Sequence, residues 1–328
     1  MKKILKIIKD TFIDIKKNRP VLLFYVVANF INGVMIRFIT TGTFAIRAMF
    51  FDLGFVMVLG SLSLLIKKKN NRILYYYLTS LYMVACCVIN AIYYNYYSSY
   101  VSVSLLATSV FVKDVGDAVL DFAIKPTDWI YLWVFIGLYI VIKKSKDKGN
   151  NIKNRFKELI IGAVLILGIG CAIPPYYSFN RFVKLWNRVS VANDFGIYIY
   201  QLDDFVQSLK PSFDNLFGHD KALKEVVEYY EENRNTPLVN DYTGIFNGKN
   251  VIVIHAESLQ GFNLGLSFNG EEVTPNINKL ANTGIYFNNF YAQVGVGTSS
   301  DSEFTYATSL LPANNGTVFV NYANNKFK

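Results

Sequence analysis

Five apolar runs, each with lysine and arginine crowded at one end, leave this chain few ways to fold. They cover about residues 20–39, 44–66, 73–93, 129–142 and 159–173. A bilayer core of ~30 Å takes about 20 helical residues, so the runs read as membrane spans. The last two are short, and flanking aromatic residues are expected to complete them at the interfaces. With 52% hydrophobic and 16% aromatic residues, the chain is too apolar for one ordinary soluble domain. Its net charge of +9 could suggest nucleic acid, but the basic residues sit beside the apolar runs, which points to a membrane and to no nucleic acid. Lys2, Lys3, Lys6, Lys9, Lys16, Lys17 and Arg19 precede the first run, and no small-residue cleavage site follows it. It is a retained span, not a signal peptide.

Basic residues also fill two connections, Lys67, Lys68, Lys69 and Arg72 in one, and Lys143, Lys144, Lys146, Lys148, Lys153, Arg155 and Lys157 in the other. The connections 40–43 and 94–128 carry few. The positive-inside rule therefore puts the N-terminus in the cytoplasm and everything after Pro174 outside the cell membrane. Arg37, Arg47 and Asp52 lie in or at the edges of the first two spans, where charge is expensive. They would contact lipid headgroups, or pair between helices and snorkel. Residues 94–128, rich in tyrosine and serine with Val110, Val115, Val119 and Phe122 at near-helical spacing, read as an interfacial helix on the outer leaflet. Cys86, Cys87 and Cys171 fall inside spans without metal-ligand spacing and read as small buried apolar residues.

Pro174 and Pro175 end the fifth span, and residues 175–248 read as an extracellular helical tether. It holds an amphipathic stretch, 195–209, and a charged helix, 220–234, with i,i+4 pairing such as Lys221 with Glu225. His219 belongs to the cap region of that helix. The division is thus 1–19 cytoplasmic, 20–174 membrane anchor, 175–248 tether and 249–328 exported domain.

In the exported domain Val251, Ile252, Val253 and Ile254 read as a parallel strand covered on both faces. Ligand crevices in open α/β sheets lie beyond the carboxyl ends of strands, which makes Glu257 the first candidate ligand. Thr274-Pro275 starts a helix that Gly284 ends. Residues 285–291 read as a second strand, giving a βαβ unit with a right-handed crossover. Gly295 and Gly297 then break the chain before Thr298, Ser299 and Ser300, and an amphipathic pattern follows through Asp301, Glu303, Phe304, Tyr306 and Leu310. A glycine turn running into a helix N-terminus favours phosphate. A hydroxyl there becomes a nucleophile when a metal lowers its pKa. Alternatively, Ser300 and Glu303 form a capping box without chemistry. His255 shares a strand face with Glu257, as a site residue or as a buried hydrogen-bonded histidine. Asp301 and Glu303 either support the site from behind or favour the helix N-terminus.

The pairing of IHAES with GVGTSSDSEF, linked by EVTPNINKLANTGIYFNNFYAQ, resembles the lipoteichoic acid synthase family, membrane-anchored members of the alkaline phosphatase and sulfatase superfamily. The resemblance is dense over residues 249–312. It implies a five-helix transmembrane α-helical domain followed by an extracellular α/β domain of alkaline phosphatase/sulfatase type, with only the N-terminal part of that domain present. It further implies that Glu257 and Ser299 bind a divalent metal, manganese with magnesium as the alternative, and that Ser299 is the catalytic nucleophile. The family more often has threonine at the Ser299 position and lysine at the Thr298 position, so Thr298 stays as the runner-up. The family's downstream Asp-His metal pair is absent from these residues, which contain only His219 and His255 as histidines.

The implied reaction is a phosphoglycerol transfer. Ser299 attacks the phosphorus of phosphatidylglycerol, diacylglycerol leaves, and a glycolipid or polyglycerolphosphate acceptor takes the glycerophosphate. Without the Asp-His pair the 328-residue chain is expected to have little or no transferase activity alone. True sulfatase chemistry is disfavoured, because SSDSE lacks the proline and arginine of the formylglycine pattern. A related phosphodiesterase or transferase for another headgroup remains, as does a non-catalytic, truncated anchor that binds a partner. A transporter lacks support, for the spans show no repeat and no buried chain of charges.

Overall fold

Helices make up nearly all the regular structure in the computed structural model. It describes residues 10–11, 13–15, 17–103, 124–145, 153–173, 175–184, 187–217, 219–233, 239–295, 297–313 and 317–322. The chain divides into two units, Met1–Pro211 with Ala313–Lys328, and Ser212–Pro312.

In the first unit, α1 (Pro20–Thr41) starts on a proline, which suits the first helical turn because no amide is needed there. It stops at Gly42, whose left-handed φ of 69° lets its N–H reach the Phe38 carbonyl. Helices α2 (Ile46–Leu62), α3 (Lys69–Tyr97) and α4 (Trp133–Lys144) follow, α2 extended by a 3₁₀ turn to Leu65 and α4 preceded by one over Pro126–Leu132. Next comes α5 (Lys153–Ala172). α1 packs on α2, α3 and α4, while α2 lies along α5. Small residues permit this closeness. A Cβ on Gly54 of α2 would fall 2.6 Å from Leu167 Cδ2 of α5.

Among the described residues, Pro20–Thr41, Ile46–Leu65, Lys69–Tyr97 and Pro126–Lys144 are long and apolar enough to cross a membrane. α5, the expected fifth span, opens with Lys153, Arg155, Lys157 and Glu158, which shortens its apolar part. Arg155 pairs there with Asp14 at 2.8 Å and Glu158 at 2.7 Å, so this end of α5 lies in polar surroundings. Most of the interfacial helix expected over 94–128 falls on 104–123, outside the described residues.

Arg37 and Asp52 form an ion pair between α1 and α2, both buried, which is the pairing alternative rather than a headgroup contact. Arg47 donates from Nε to Gly170 O at 3.2 Å and from Nη1 to Pro175 O at 3.0 Å. Its guanidinium lies 4.7 Å from the Phe195 ring centroid and 5.1 Å from that of Phe179. Cys86 and Cys87 are buried as expected, but Cys171 is exposed on the outward side of α5.

The stretch expected as a tether begins inside this core. Helices α6 (Ser178–Lys184), α7 (Arg188–Phe195) and α8 (Ile197–Phe217) follow α5, and Phe195, Ile197, Tyr198 and Tyr200 are buried. The reason is polar as well as apolar. Tyr198 Oη donates to Asn29 O at 2.6 Å, Asn90 Nδ2 to Gln201 Oε1 at 2.8 Å, and Ser102 Oγ to Asp204 Oδ1 at 2.5 Å.

The second unit contains α9 (His219–Glu232), with the Lys221–Glu225 pair at 3.7 Å on its exposed surface. It also holds a two-residue hairpin, β1 (Ser267–Phe268) antiparallel to β2 (Glu271–Glu272), then α10 (Pro275–Thr283) and α11 (Ser299–Thr308). α10 has the expected bounds: proline at its start, and the Gly284 N–H closing on Leu280 O. The two expected parallel strands are not formed. Val251, Ile252, Val253 and Ile254 stand 74, 87, 49 and 84% exposed, and the only strand pairing among the described residues is β1 with β2. A parallel strand exists through its ladder to neighbours, and among the described residues neither segment pairs with another strand.

Candidate active site

Two backbone kinks bring the site residues together. Ser258, next to Glu257, has φ of 60°, and Thr298, next to Ser299, has φ of 48° with ψ of −112°. Left-handed backbone at a non-glycine residue costs of order 1–3 kcal/mol and clusters at functional sites. Here it turns Glu257 and Ser299 towards each other across 42 residues of chain. Ser299 Oγ donates to Glu257 Oε1 at 2.9 Å.

The turn before α11 is held by its own first-turn acid. Asp301 is buried, and its Oδ2 accepts from the Gly295 N–H at 2.8 Å and the Gly297 N–H at 2.9 Å. Gly297 has no room for a side chain, because a Cβ there would strike the Asp301 carboxylate. The sequence signal for this clamp is a glycine pair followed by aspartate at the helix start, a residue expected either to support the site from behind or to favour the helix N-terminus, and not to tie down the glycine turn.

The capping box is not made. α11 starts at Ser299 with Thr298 as its N-cap residue, and Thr298 makes no side-chain cap bond. Ser300 therefore sits inside the first turn, where its hydroxyl donates back to Gly297 O at 2.8 Å. Glu303 turns instead towards His255, with Oε1 4.0 Å from Nδ1. His255 is exposed rather than the buried histidine a covered strand would hold. A second polar knot, absent from the sequence reading, fixes the neighbouring hairpin. Asn278 of α10 donates from Nδ2 to Glu272 Oε2 at 2.9 Å, and its Oδ1 accepts from the Gly265 N–H at 2.9 Å.

Glu257 and Ser299 offer two oxygen donors of the hard type that suits manganese or magnesium. No group of three or more His, Cys, Asp or Glu placed to hold a metal ion occurs among the described residues. The donor set fits such an ion in kind and would make up only part of its shell.

Comparison with known proteins decides the family. The lipoteichoic acid synthase N-terminal domain model matches residues 1–216, and the sulfatase model matches residues 249–327. The chain belongs to the lipoteichoic acid synthase family. Within it, the chain is 31% identical to lipoteichoic acid synthase 2 of Bacillus subtilis (strain 168) over 72% of its own length and 37% of that protein. It is 28% identical to lipoteichoic acid synthase 1 of the same organism, over 73% of this chain and 38% of that protein. It is also 28% identical to the lipoteichoic acid synthase of Staphylococcus aureus (strain USA300), over 70% and 36%. The chain thus spans little more than a third of the length of these curated relatives of the synthase family. No solved structure matches it.

Proposed function

We propose that this protein is a membrane-anchored phosphoglycerol transferase that moves glycerophosphate from phosphatidylglycerol to a lipoteichoic-acid-type acceptor, with Ser299 as nucleophile. The observation that carries this reading is the 2.9 Å hydrogen bond from Ser299 Oγ to Glu257 Oε1 at the start of α11. Thr298, the runner-up, lies one residue before the helix and makes no such contact with Glu257.

Glu257 orients the Ser299 hydroxyl by accepting its hydrogen bond. The Ser299 oxygen then forms a bond to phosphorus while the bond from phosphorus to the diacylglycerol oxygen breaks, and that oxygen leaves with a proton. An acceptor hydroxyl reverses the sequence and frees Ser299. The positive end of the α11 dipole stabilises charge on the phosphoryl oxygens. A divalent ion of the manganese or magnesium kind, held by Glu257 and Ser299 with ligands from outside the described residues, would lower the pKa of the serine hydroxyl.

The anchor supports a lipid substrate by holding the site at the bilayer, where tethering raises effective concentration. Four helices of spanning length support that placement. With α5 as a fifth span, the basic turns at Lys67–Lys69 and Lys143–Lys144 face the cytoplasm and the second unit is exported. A non-catalytic anchor that binds a partner is the second reading, favoured by the incomplete metal shell among the described residues.

The experiment is a chimera joining these 328 residues in frame to the remaining C-terminal part of B. subtilis lipoteichoic acid synthase 2, assayed for diacylglycerol release from phosphatidylglycerol vesicles with manganese. We expect turnover in the chimera, none from the 328 residues alone, and a loss of about 1,000-fold or more in Ser299→Ala. Full turnover in Ser299→Ala with loss in Thr298→Ala would move the nucleophile to Thr298. Undiminished turnover in both would overturn the mechanism.

A further inference from the structure

Helix α8 is inverted relative to a helix that leaves a membrane domain for water. Its inner face carries polar side chains, Gln201 and Asp204, both buried and bonded to Asn90 and Ser102. Its outer face carries Leu202, Phe205, Val206 and Leu209, which stand 45, 48, 56 and 39% exposed. These four are spaced as one helical stripe.

The depth at which α8 begins is set by its partners. Gly196, with φ of 82°, separates it from α7 and lies against the Asp52 carboxylate and the Ala48 carbonyl of α2. The Tyr198 ring packs where a Gly33 side chain would stand, and Tyr198 Oη lies 3.8 Å from Cys87 Sγ. At a rise of ~1.5 Å per residue, Gly33 is about 12 Å from the Thr41 end of α1 and Cys87 about 15 Å from the Tyr97 end of α3. From there α8 climbs alongside α3. Tyr198 meets Cys87, Gln201 meets Asn90, and Asp204 meets Ser102 beyond the end of α3.

We propose that α7 and α8 form a re-entrant element, entering the membrane domain from the end opposite the basic turns and leaving it again, with the stripe Leu202, Phe205, Val206 and Leu209 lying against lipid. Lipid is the occupant because the stripe continues a helix whose start is buried among spanning helices. Ile89 of α3, next to the Asn90 that bonds Gln201, is exposed in the same way. Among its described residues the helix also pairs polar side chains within itself, as polar chain at membrane depth must, with Ser208 Oγ donating to Asp204 O at 2.7 Å. Gln207 Nε2 donates to Asp203 Oδ2 at 2.7 Å. The inference rests on the membrane-anchor reading above.

The test uses the full chain with Cys171→Ser, reconstituted in vesicles of phosphatidylethanolamine and phosphatidylglycerol. A polarity-sensitive fluorophore is attached at Leu202→Cys, Val206→Cys and, as a control on the exposed face of α9, Lys221→Cys. Carbonate extraction establishes first that the chain is integral to the bilayer. If it is extracted, the anchor reading fails and this inference with it. If it is retained, lipids with a nitroxide on the acyl chain should quench positions 202 and 206 about two-fold or more and leave 221 unchanged. Phe205→Trp with brominated lipids gives the same readout without a label, should either cysteine variant misfold. Blue-shifted but unquenched emission at 202 and 206 would mean that protein covers the stripe, and emission matching position 221 would mean water does. Either overturns the proposal.

Discussion

In residues 20–204 a buried carboxylate such as Asp52 meets Arg37, and a buried phenol such as Tyr198 reaches the Asn29 carbonyl. In residues 251–291, Ile252 and Phe290 stand 87 and 85% exposed. The difference follows from backbone hydrogen bonding. A helix satisfies its own amides and carbonyls, so each one can form first and then pack a face on its neighbours. A strand is satisfied only through other strands, so an apolar run like Val251 to Ile254 stays open until a ladder is supplied. The second unit nonetheless orders its candidate site, because the Ser299, Glu257 and Asp301 contacts are made by turns and one helix end rather than by a sheet.

The sharpest way to break this contrast is to remove the charge pairing that lets the first unit bury Asp52. Asp52→Ala strands the Arg37 guanidinium among α1, α2 and α8, and we expect a loss of about 3–5 kcal/mol in denaturation of the detergent-solubilised chain. The double variant Arg37→Met with Asp52→Leu should recover most of it. A recovery no better than the single variant would show that the pair does more than neutralise itself. Gly196→Ala asks a smaller question at the same place. It forces a side chain onto a φ of 82° and against Asp52, and should cost about 1–3 kcal/mol by the same measurement.

Limited proteolysis compares the units directly. Cleavage within residues 239–295 should run about ten-fold or more ahead of cleavage within residues 20–103 in vesicles, because few buried contacts oppose opening there. Equal rates would mean that something covers the apolar segments of the second unit. The smallest effect is expected at Lys221. Its partner Glu225 is 3.7 Å away and both are well exposed, so Lys221→Ala should leave the melting temperature unchanged within error.

Local rules carried far in this chain. Thr274-Pro275 and Gly284 bound α10 because a proline start and a glycine stop act within one turn of the helix. The hydrophobic runs located the long helices for the same reason, since a span is defined by its own length and composition. The candidate site was half legible. Glu257 stood out as a carboxylate after an apolar run, and Thr298, Ser299 and Ser300 as hydroxyls in a glycine turn from which only the family resemblance picked Ser299, but the role of Asp301 in tying Gly295 to Gly297 did not stand out. A carboxylate in a first helical turn looks the same in sequence whether it serves the dipole or clamps a loop.

The sequence by itself determined the bounds of α10, roughly where the long apolar helices lie, and which end of each apolar run is basic. These depend on neighbours a few positions away. Only the tertiary structure decided that Arg37 pairs with Asp52, that α8 begins inside the bundle rather than beyond it, and that Val251 to Ile254 lies open. Each of those depends on which distant backbone or side chain comes within hydrogen-bonding reach, and an isolated stretch of sequence carries no record of that.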